Sequence, residues 1–228
     1  MASKVAKPYK IKGTTLVSNA CEAEWCKYLD MHLQKSLGNQ YTPRGEFSVN
    51  LLSDPQSDEF QLFKSKIDAI IDTAYNEIMN DEGELTLGAS AKKKLNKVYP
   101  FKDHIIKEKD SNGKYTIENE TGKIMVVPKM KNVLDKKEGN NYIKLIGLGN
   151  VEVPRDKRPE IGNGSIIKAK MYVNPYYMAA SGSVGVSLSL DSIKLITLSS
   201  FGGSTDGEDF DDDDFEATEK VDSDGEDY

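Results

Sequence analysis

The sequence predicts a mainly β fold: a small five-stranded barrel that carries one inserted α-helix and is followed by an acidic tail. Short segments rich in β-branched and aromatic residues recur along the chain, as they do in strands. A single long segment has the apolar periodicity of a surface helix. Residues 204–228 combine high charge with few aliphatic side chains, a composition that cannot form a packed core.

The first half of the chain is predicted to hold two strands and two helices. Residues 9–17 have the composition of a short strand, and residues 47–51 alternate apolar and polar side chains. Residues 20–37 carry apolar side chains at helical spacing and predict a helix. The clearest helix is 58–79, whose apolar residues recur with a period near 3.6 residues, and Ser57 is its predicted N-cap.

The second half is predicted to be β, with strands at residues 115–118, 123–131, 142–148, 165–173 and 184–198. The last strand alternates cleanly until its phase shifts at Asp191 and Ser192, which predicts a bulge or bend. With the strand at 47–51, this makes five or six strands around one strong helix. A small, strongly bent barrel accommodates them, and the oligonucleotide-binding (OB) barrel is one such fold.

Charge divides the chain into a basic body and an acidic arm. Residues 204–228 hold 13 carboxylates and one lysine, a net charge of −12. Removing them from the 37 acidic and 30 basic residues of the whole chain leaves 24 and 29, so residues 1–203 carry +5. We therefore place one domain at 1–203 and an acidic tail, disordered when free, at 204–228. This asymmetry favours nucleic acid or another charged partner.

Several functional classes find little support in the sequence. There is no run of 18 apolar residues and no secretory signal, so an intracellular protein with reduced Cys21 and Cys26 is expected. The two histidines, His32 and His104, stand apart, which argues against a metal site or cofactor. No phosphate-binding loop or nucleophile elbow is present, so the chain is not predicted to be an enzyme.

Basic residues interleaved with aromatic residues give the strongest functional signal. Proteins hold single-stranded nucleic acid in a cationic groove, with rings on which bases stack. Segments with this composition are 97–102, 129–137, 155–158 and 168–177. In the last of them, a strand would place Lys168, Lys170 and Tyr172 on one face, and Tyr176 and Tyr177 near the strand end, where a loop can present them.

Residues 161–203 resemble the single-stranded DNA-binding proteins of short-tailed, T-seven-type bacteriophages. The shared features are an I-G-x-G-S turn, a strand with alternating lysines, a Pro-Tyr step, a V-x-L-x-L strand and a Phe-Gly-Gly end before an acidic tail. A second match is Pro43-Arg44-Gly45 before the strand at 47–51. The family has a lysine where this chain has Tyr177 and a tryptophan where it has Met178.

The resemblance implies an OB fold that binds single-stranded DNA without base specificity in phage replication, recombination, repair and strand annealing. It implies a homodimer in the cytoplasm of an infected bacterium, with a tail that contacts the replicative polymerase and the primase-helicase and occupies the DNA groove when DNA is absent. Family DNA-binding positions correspond to Arg44, Lys129, Lys131, Lys168, Lys170 and Tyr176. The expected partner-binding residues of the tail are Phe210, Asp211, Asp212, Asp213, Asp214, Phe215 and Tyr228.

A second hypothesis assigns the chain to another functional class. The chain could be an interaction adaptor or DNA mimic whose acidic tail binds a basic host protein, with the barrel as scaffold. A DNA mimic would carry acidic charge over its whole body, whereas this body is basic. A nuclease would need clustered carboxylates, and Asp103, Glu118 and Glu120 are scattered along the sequence.

Overall fold

The computed structural model describes residues 13–27, 46–82, 85–131, 134–135, 139–140 and 142–199. The predicted tail, the start of the strand at 9–17 and the later part of the helix at 20–37 lie outside the described residues. Within this part of the chain, no helix is both long and apolar enough to cross a membrane.

The described residues form twelve strands and two α-helices. The strands are β1 (Thr14–Val17), β2 (Cys21–Lys27), β3 (Glu46–Ser53), β4 (Asn96–Lys97), β5 (Lys102–Lys109), β6 (Tyr115–Val126), β7 (Lys129–Lys131), β8 (Leu134–Asp135), β9 (Gly139–Asn140), β10 (Lys144–Ile146), β11 (Ile166–Met178) and β12 (Ser183–Thr197). The helices are α1 (Asp58–Met79) and α2 (Ala89–Lys92), and short 3-10 turns cover Leu148–Asn150 and Arg155–Lys157.

Five of these strands close into a barrel, because their pairings form a cycle. β2 pairs with β3, β3 with β7, β7 with β12, β12 with β11, and β11 with β2. The contact between β7 and β12 is parallel, at Lys129 and Ser189, and the other four are antiparallel. Apolar side chains from all sides fill the interior, among them Phe47, Val49, Leu51, Ile167, Met171, Val173, Leu190 and Ile193. The predicted mainly β, OB-type barrel is confirmed.

The predicted bulge in the last strand is also confirmed. Lys170 of β11 lies opposite Ser192 and Met171 lies opposite Leu190, so Asp191 is the extra residue of β12. Leu190 and Ile193 are both fully buried despite their odd spacing. The extra residue therefore lets Ile193 point into the core, whereas in a regular strand it would point outward.

Helix α1 begins and ends where the sequence predicts. The Ser57 hydroxyl accepts a hydrogen bond from the backbone N–H of Phe60 at 3.3 Å and caps the first turn. The buried face of α1 packs against β11 and β12 and consists of Phe60, Phe63, Ile67, Ile71, Ala74 and Ile78. This stripe is core packing and not an exposed groove.

The predicted helix at 20–37 is wrong in its first part, because residues 21–27 form strand β2. Cys21 and Ala23 face the core, and a register shift in the pairing with β3 lies between Glu24 and Lys27. In the sequence, Trp25 follows Cys21 by four residues, a spacing close to one helical turn. The alternation of a short bulged strand was thus mistaken for helical periodicity.

A long hairpin formed by β5 and β6 was only partly predicted. Residues 115–126 form one continuous strand, where the sequence predicted separate strands at 115–118 and 123–131. Strand β5 was not predicted. Most described side chains of the hairpin are exposed on both faces, so the sequence lacks the alternation of a half-buried strand. Its base is held by His104, whose Nε2 lies 3.3 Å from Glu24 Oε2 and whose Nδ1 lies 3.0 Å from Thr121 Oγ1.

Candidate nucleic-acid interface

Strand β11 presents cations and aromatic rings on the outer face of the barrel. Ile167, Ala169, Met171 and Val173 are completely buried, so the alternate residues face outward. These outward residues include Lys168, Lys170, Tyr172 and Tyr176, as the strand pattern predicted for the first three. The face is cationic at the start of the strand and aromatic toward its end.

The pairing register extends this face around the barrel. Tyr172 lies opposite Ser189 of β12, Ser189 opposite Lys129 of β7, Lys129 opposite Ser48 of β3, and Ser48 opposite Lys27 of β2. We call these five residues the outer row. Lys27, Lys129 and Tyr172 are exposed, and the two serines between them are half-buried. Since neighbouring strands lie about 4.8 Å apart, successive tall side chains of the row are about 10 Å apart.

The outward residues of β12 form a low floor between its neighbours. Val184, Val186, Leu188 and Leu190 point inward, which leaves Ser183, Gly185, Ser187 and Ser189 on the outer face. Because Ser189 is small, the taller Tyr172 of β11 and Lys129 of β7 border a shallow channel on either side of it, whereas at Ser183 the neighbouring strand is β4. The channel crosses β12 at Ser189, within the outer row.

The ring of Tyr176 lies across Gly185 at one end of this floor. The two residues are cross-strand partners. A Cβ atom added to Gly185 would lie 2.8 Å from the Tyr176 hydroxyl oxygen and 2.9 Å from the carbonyl oxygen of Val98. Only glycine leaves room for this arrangement. The missing side chain at position 185 therefore sets the position of the tyrosine ring.

Tyr177 does not share the face of Tyr176. Both residues lie within β11, whereas the sequence suggested that a loop would present them. Tyr177 is opposite Val184 and packs against the cluster formed by Ala74, Ile78 and Val184. Adjacent strand residues point to opposite faces, so the structure separates the two tyrosines that the sequence grouped.

The cationic end of β11 concentrates positive charge. Lys168 lies directly opposite Lys194 of β12, and like charges opposed in this way repel each other. The Lys194 ammonium donates to Asn150 Oδ1 at 2.7 Å. Lys170 Nζ lies 3.6 Å from Asp191 Oδ2, which neutralises only part of the local charge. An anion bound here would relieve the repulsion between Lys168 and Lys194.

Other basic segments highlighted by the sequence make structural contacts. Lys97 Nζ lies 2.6 Å from Asp72 Oδ1 on α1, and this hydrogen bond raises the pKa of Lys97. Lys92, which lies outside those segments, donates to the carbonyl oxygen of Met79 at 2.8 Å and so satisfies the end of α1. Arg158 donates to the carbonyl oxygen of Ile143 at 2.7 Å. Composition alone does not distinguish such cations from those of the outer face.

Some predicted site residues cannot be placed. Arg44 and the tail residues lie outside the described part of the chain. Lys131 belongs to β7, where its backbone lies opposite Glu46, but its side chain is not described. In the described ranges, no three His, Cys, Asp or Glu side chains cluster in a way that could hold a metal ion. Cys21 and Cys26 are free thiols, and burial raises the pKa of Cys26 to about 12.

Comparison with known proteins identifies the family. The model of the family described as "Single-stranded DNA-binding protein, Bacteriophage T7" matches residues 24–198. A search of curated protein sequences finds no significant match. The family is one of binding proteins rather than enzymes, in agreement with the sequence prediction.

One solved structure of a phage protein shares the fold, and structures of a second phage protein match at lower scores. The crystal structure of gp2.5, a single-stranded DNA-binding protein encoded by bacteriophage T7, matches with a TM-score of 0.56 and 20% identity, over 86% of this chain and 92% of that one. The C-terminally truncated single-stranded DNA-binding protein of bacteriophage Enc34 matches with a TM-score of 0.46 and 13% identity, over 85% and 97%. The same Enc34 protein in complex with single-stranded DNA gives 0.43 and 15%, over 88% and 100%.

We expect Gly185→Ala to lower the free energy of unfolding by about 1–3 kcal/mol, because the new methyl group would collide with the Tyr176 ring and with a backbone carbonyl. Urea denaturation measures the change. Gly88→Ala is the control, since a Cβ at Gly88 meets no atom within 4 Å, and a shift within about 0.5 kcal/mol is expected. Equal stability of the two variants would show that the Tyr176 ring does not lie across Gly185.

Proposed function

This chain belongs to the family of bacteriophage T7 single-stranded DNA-binding proteins, and from that premise we propose that its barrel binds single-stranded DNA without base specificity. The observation that carries the proposal is the outer row, together with the lysines and tyrosines of β11. Exposed cations and aromatic rings alternate there with small side chains across the five adjacent strands of the barrel. In OB folds, oligonucleotides bind across the barrel surface.

Each kind of side chain has a distinct role in this proposal. Lys27, Lys129, Lys168 and Lys170 bind phosphates and release the counterions that surround them. Tyr172 and Tyr176 offer flat surfaces on which unpaired bases stack, whatever their identity. The small side chains of Ser187 and Ser189 on β12 let the DNA strand approach the sheet closely. Duplex DNA is disfavoured, because its bases are stacked on each other and offer no free faces.

Binding to fluorescent oligo-dT should be strong, specific for the single strand and steeply dependent on salt. Tyr172→Ala should weaken binding by about 1–3 kcal/mol, the contribution of one stacked base. Lys129→Ala should reduce the slope of log K against log salt by about 0.7, because one phosphate contact is lost. Fluorescence anisotropy over a salt series measures both effects.

Matched controls lie on the β5–β6 hairpin. Tyr115 is more exposed than Tyr172, at 65% against 45%, and Lys107 forms a surface ion pair with Glu118 at 2.7 Å. Tyr115→Ala and Lys107→Ala should leave both affinity and salt slope unchanged. Equal losses from the hairpin and the outer row would contradict the proposed path. If the protein bound no DNA at all, the hypothesis of an interaction adaptor would replace the proposed DNA-binding function.

We further propose that the protein acts in phage DNA replication, recombination, repair and strand annealing, as a homodimer in the cytoplasm of an infected bacterium. The acidic tail recruits the replicative polymerase and the primase-helicase. Its charge of −12 beside a body of +5 supports a second role, in which the tail competes with DNA for the cationic face. A flexible tether can hold such a competitor at millimolar local concentration.

Truncation to residues 1–203 should tighten binding to oligo-dT at low salt, because the tethered competitor is removed. The gain should shrink as salt rises, since screening weakens the attraction between tail and body. A full-length control in which the 13 tail carboxylates are replaced by amides separates charge from chain length, and it should match the truncation. Unchanged or weaker binding by the truncated protein would contradict the competition model.

A further inference from the structure

Trp25 is exposed in a conformation that is unfavourable for its residue type. It is the one tryptophan of the whole sequence, and 60% of its surface is accessible. Its backbone φ angle is +50°, in the left-handed region that side chains with a Cβ rarely adopt. Tryptophan is usually well buried, so its exposure at a strained position calls for an explanation other than packing.

A β-bulge turns this side chain outward. Cys21 and Ala23 face the core, and regular alternation would point Trp25 inward as well. The pairing of β2 with β3 shifts register between Glu24 and Lys27, and it is Cys26 that packs against the core. The fold thus excludes a large apolar ring from its interior and keeps a small thiol in its place.

The bulge is held from the neighbouring turn. The side-chain oxygen of Asn163 accepts a hydrogen bond from the backbone N–H of Trp25 at 2.9 Å. The next residue, Gly164, donates its N–H to the carbonyl oxygen of Ala23 at 2.9 Å. These two bonds fix the backbone on both sides of Glu24. The main chain at Trp25 is therefore fixed and directs the side chain outward, and Trp25 does not belong to a fraying strand end.

We propose that Trp25 is a base-stacking site for single-stranded nucleic acid at the β2 end of the outer row. The inference rests on the proposed function and extends its path by one aromatic residue. Trp25 is two residues from Lys27, which is separated from Lys129 only by Ser48 of β3. A cation beside an exposed ring is the pairing that holds phosphate and base of one strand together. Trp25 thus occupies at the β2 end the role that Tyr172 has at the β11 end.

Because the chain has a single tryptophan, its fluorescence reports directly on this site. The full-length protein is titrated with an oligo-dT strand of about 16 nucleotides, the upper end of OB-fold site sizes, while anisotropy of a label on the DNA follows binding. Stacking should quench the tryptophan emission in proportion to bound DNA. Trp25→Ala should weaken binding about 5- to 150-fold, and Trp25→Phe should recover most of the loss.

A relocated tryptophan provides the control. In the double variant Trp25→Phe with Tyr115→Trp, the reporter lies on the hairpin, and DNA should bind without quenching it. Normal DNA binding by the wild type with unchanged emission, and no loss in Trp25→Ala, would overturn the stacking site and leave the proposed function intact. If the tryptophan emission changed with protein concentration and not with bound DNA, Trp25 would lie at a contact between copies of the chain, and the stacking site would be overturned. Absence of any DNA binding in the anisotropy channel would overturn both proposals.

Discussion

Closure of the five-stranded barrel is the constraint on which the rest of the structure depends. Once β7 meets β12 at Lys129 and Ser189, the interior has a fixed volume that only the inward side chains of each strand can fill. Alternation then assigns every other residue to the outer surface. The five residues of the outer row lie on neighbouring strands in line with one another, because the register that aligns the core also aligns them. The proposed binding surface and the core therefore depend on the same strand pairing.

Bulges at Asp191 and at Trp25 interrupt this alternation, and each changes which side chains the surface presents. At Asp191 the bulge returns Ile193 to the core and places a carboxylate near Lys170. At Trp25 the bulge has the opposite effect, because it moves a large ring from the inner face to the outer one. A third adjustment is steric: Gly185 lets the Tyr176 ring lie across β12. These local departures shape a surface that an ideal barrel would not offer.

An element could be predicted from the sequence where the burial of one face gives its apolar residues a regular spacing. Helix α1 and strand β12 are buried on one face, and their periodicity predicted them, including the bulge at Asp191. Strand β2 was mistaken for a helix because its bulge breaks the alternation. Most described side chains of the β5–β6 hairpin are exposed on both faces, so its sequence lacks the apolar alternation of a half-buried strand. Within the candidate site, alternation along β11 predicted that Lys168, Lys170 and Tyr172 share one face. That Lys129 lies near them could not be predicted, because it depends on how strands distant in the sequence pair.

The central claim is that DNA crosses the outer row of the barrel. Photo-crosslinking of the full-length protein to an oligonucleotide that carries halogenated uracil at successive positions, followed by mass spectrometry of the linked peptides, tests it most directly. The account predicts crosslinks on β2, β7 and β11, with neighbouring strands linked by neighbouring nucleotides. Crosslinks confined to the β5–β6 hairpin or to the exposed side of α1 would contradict it.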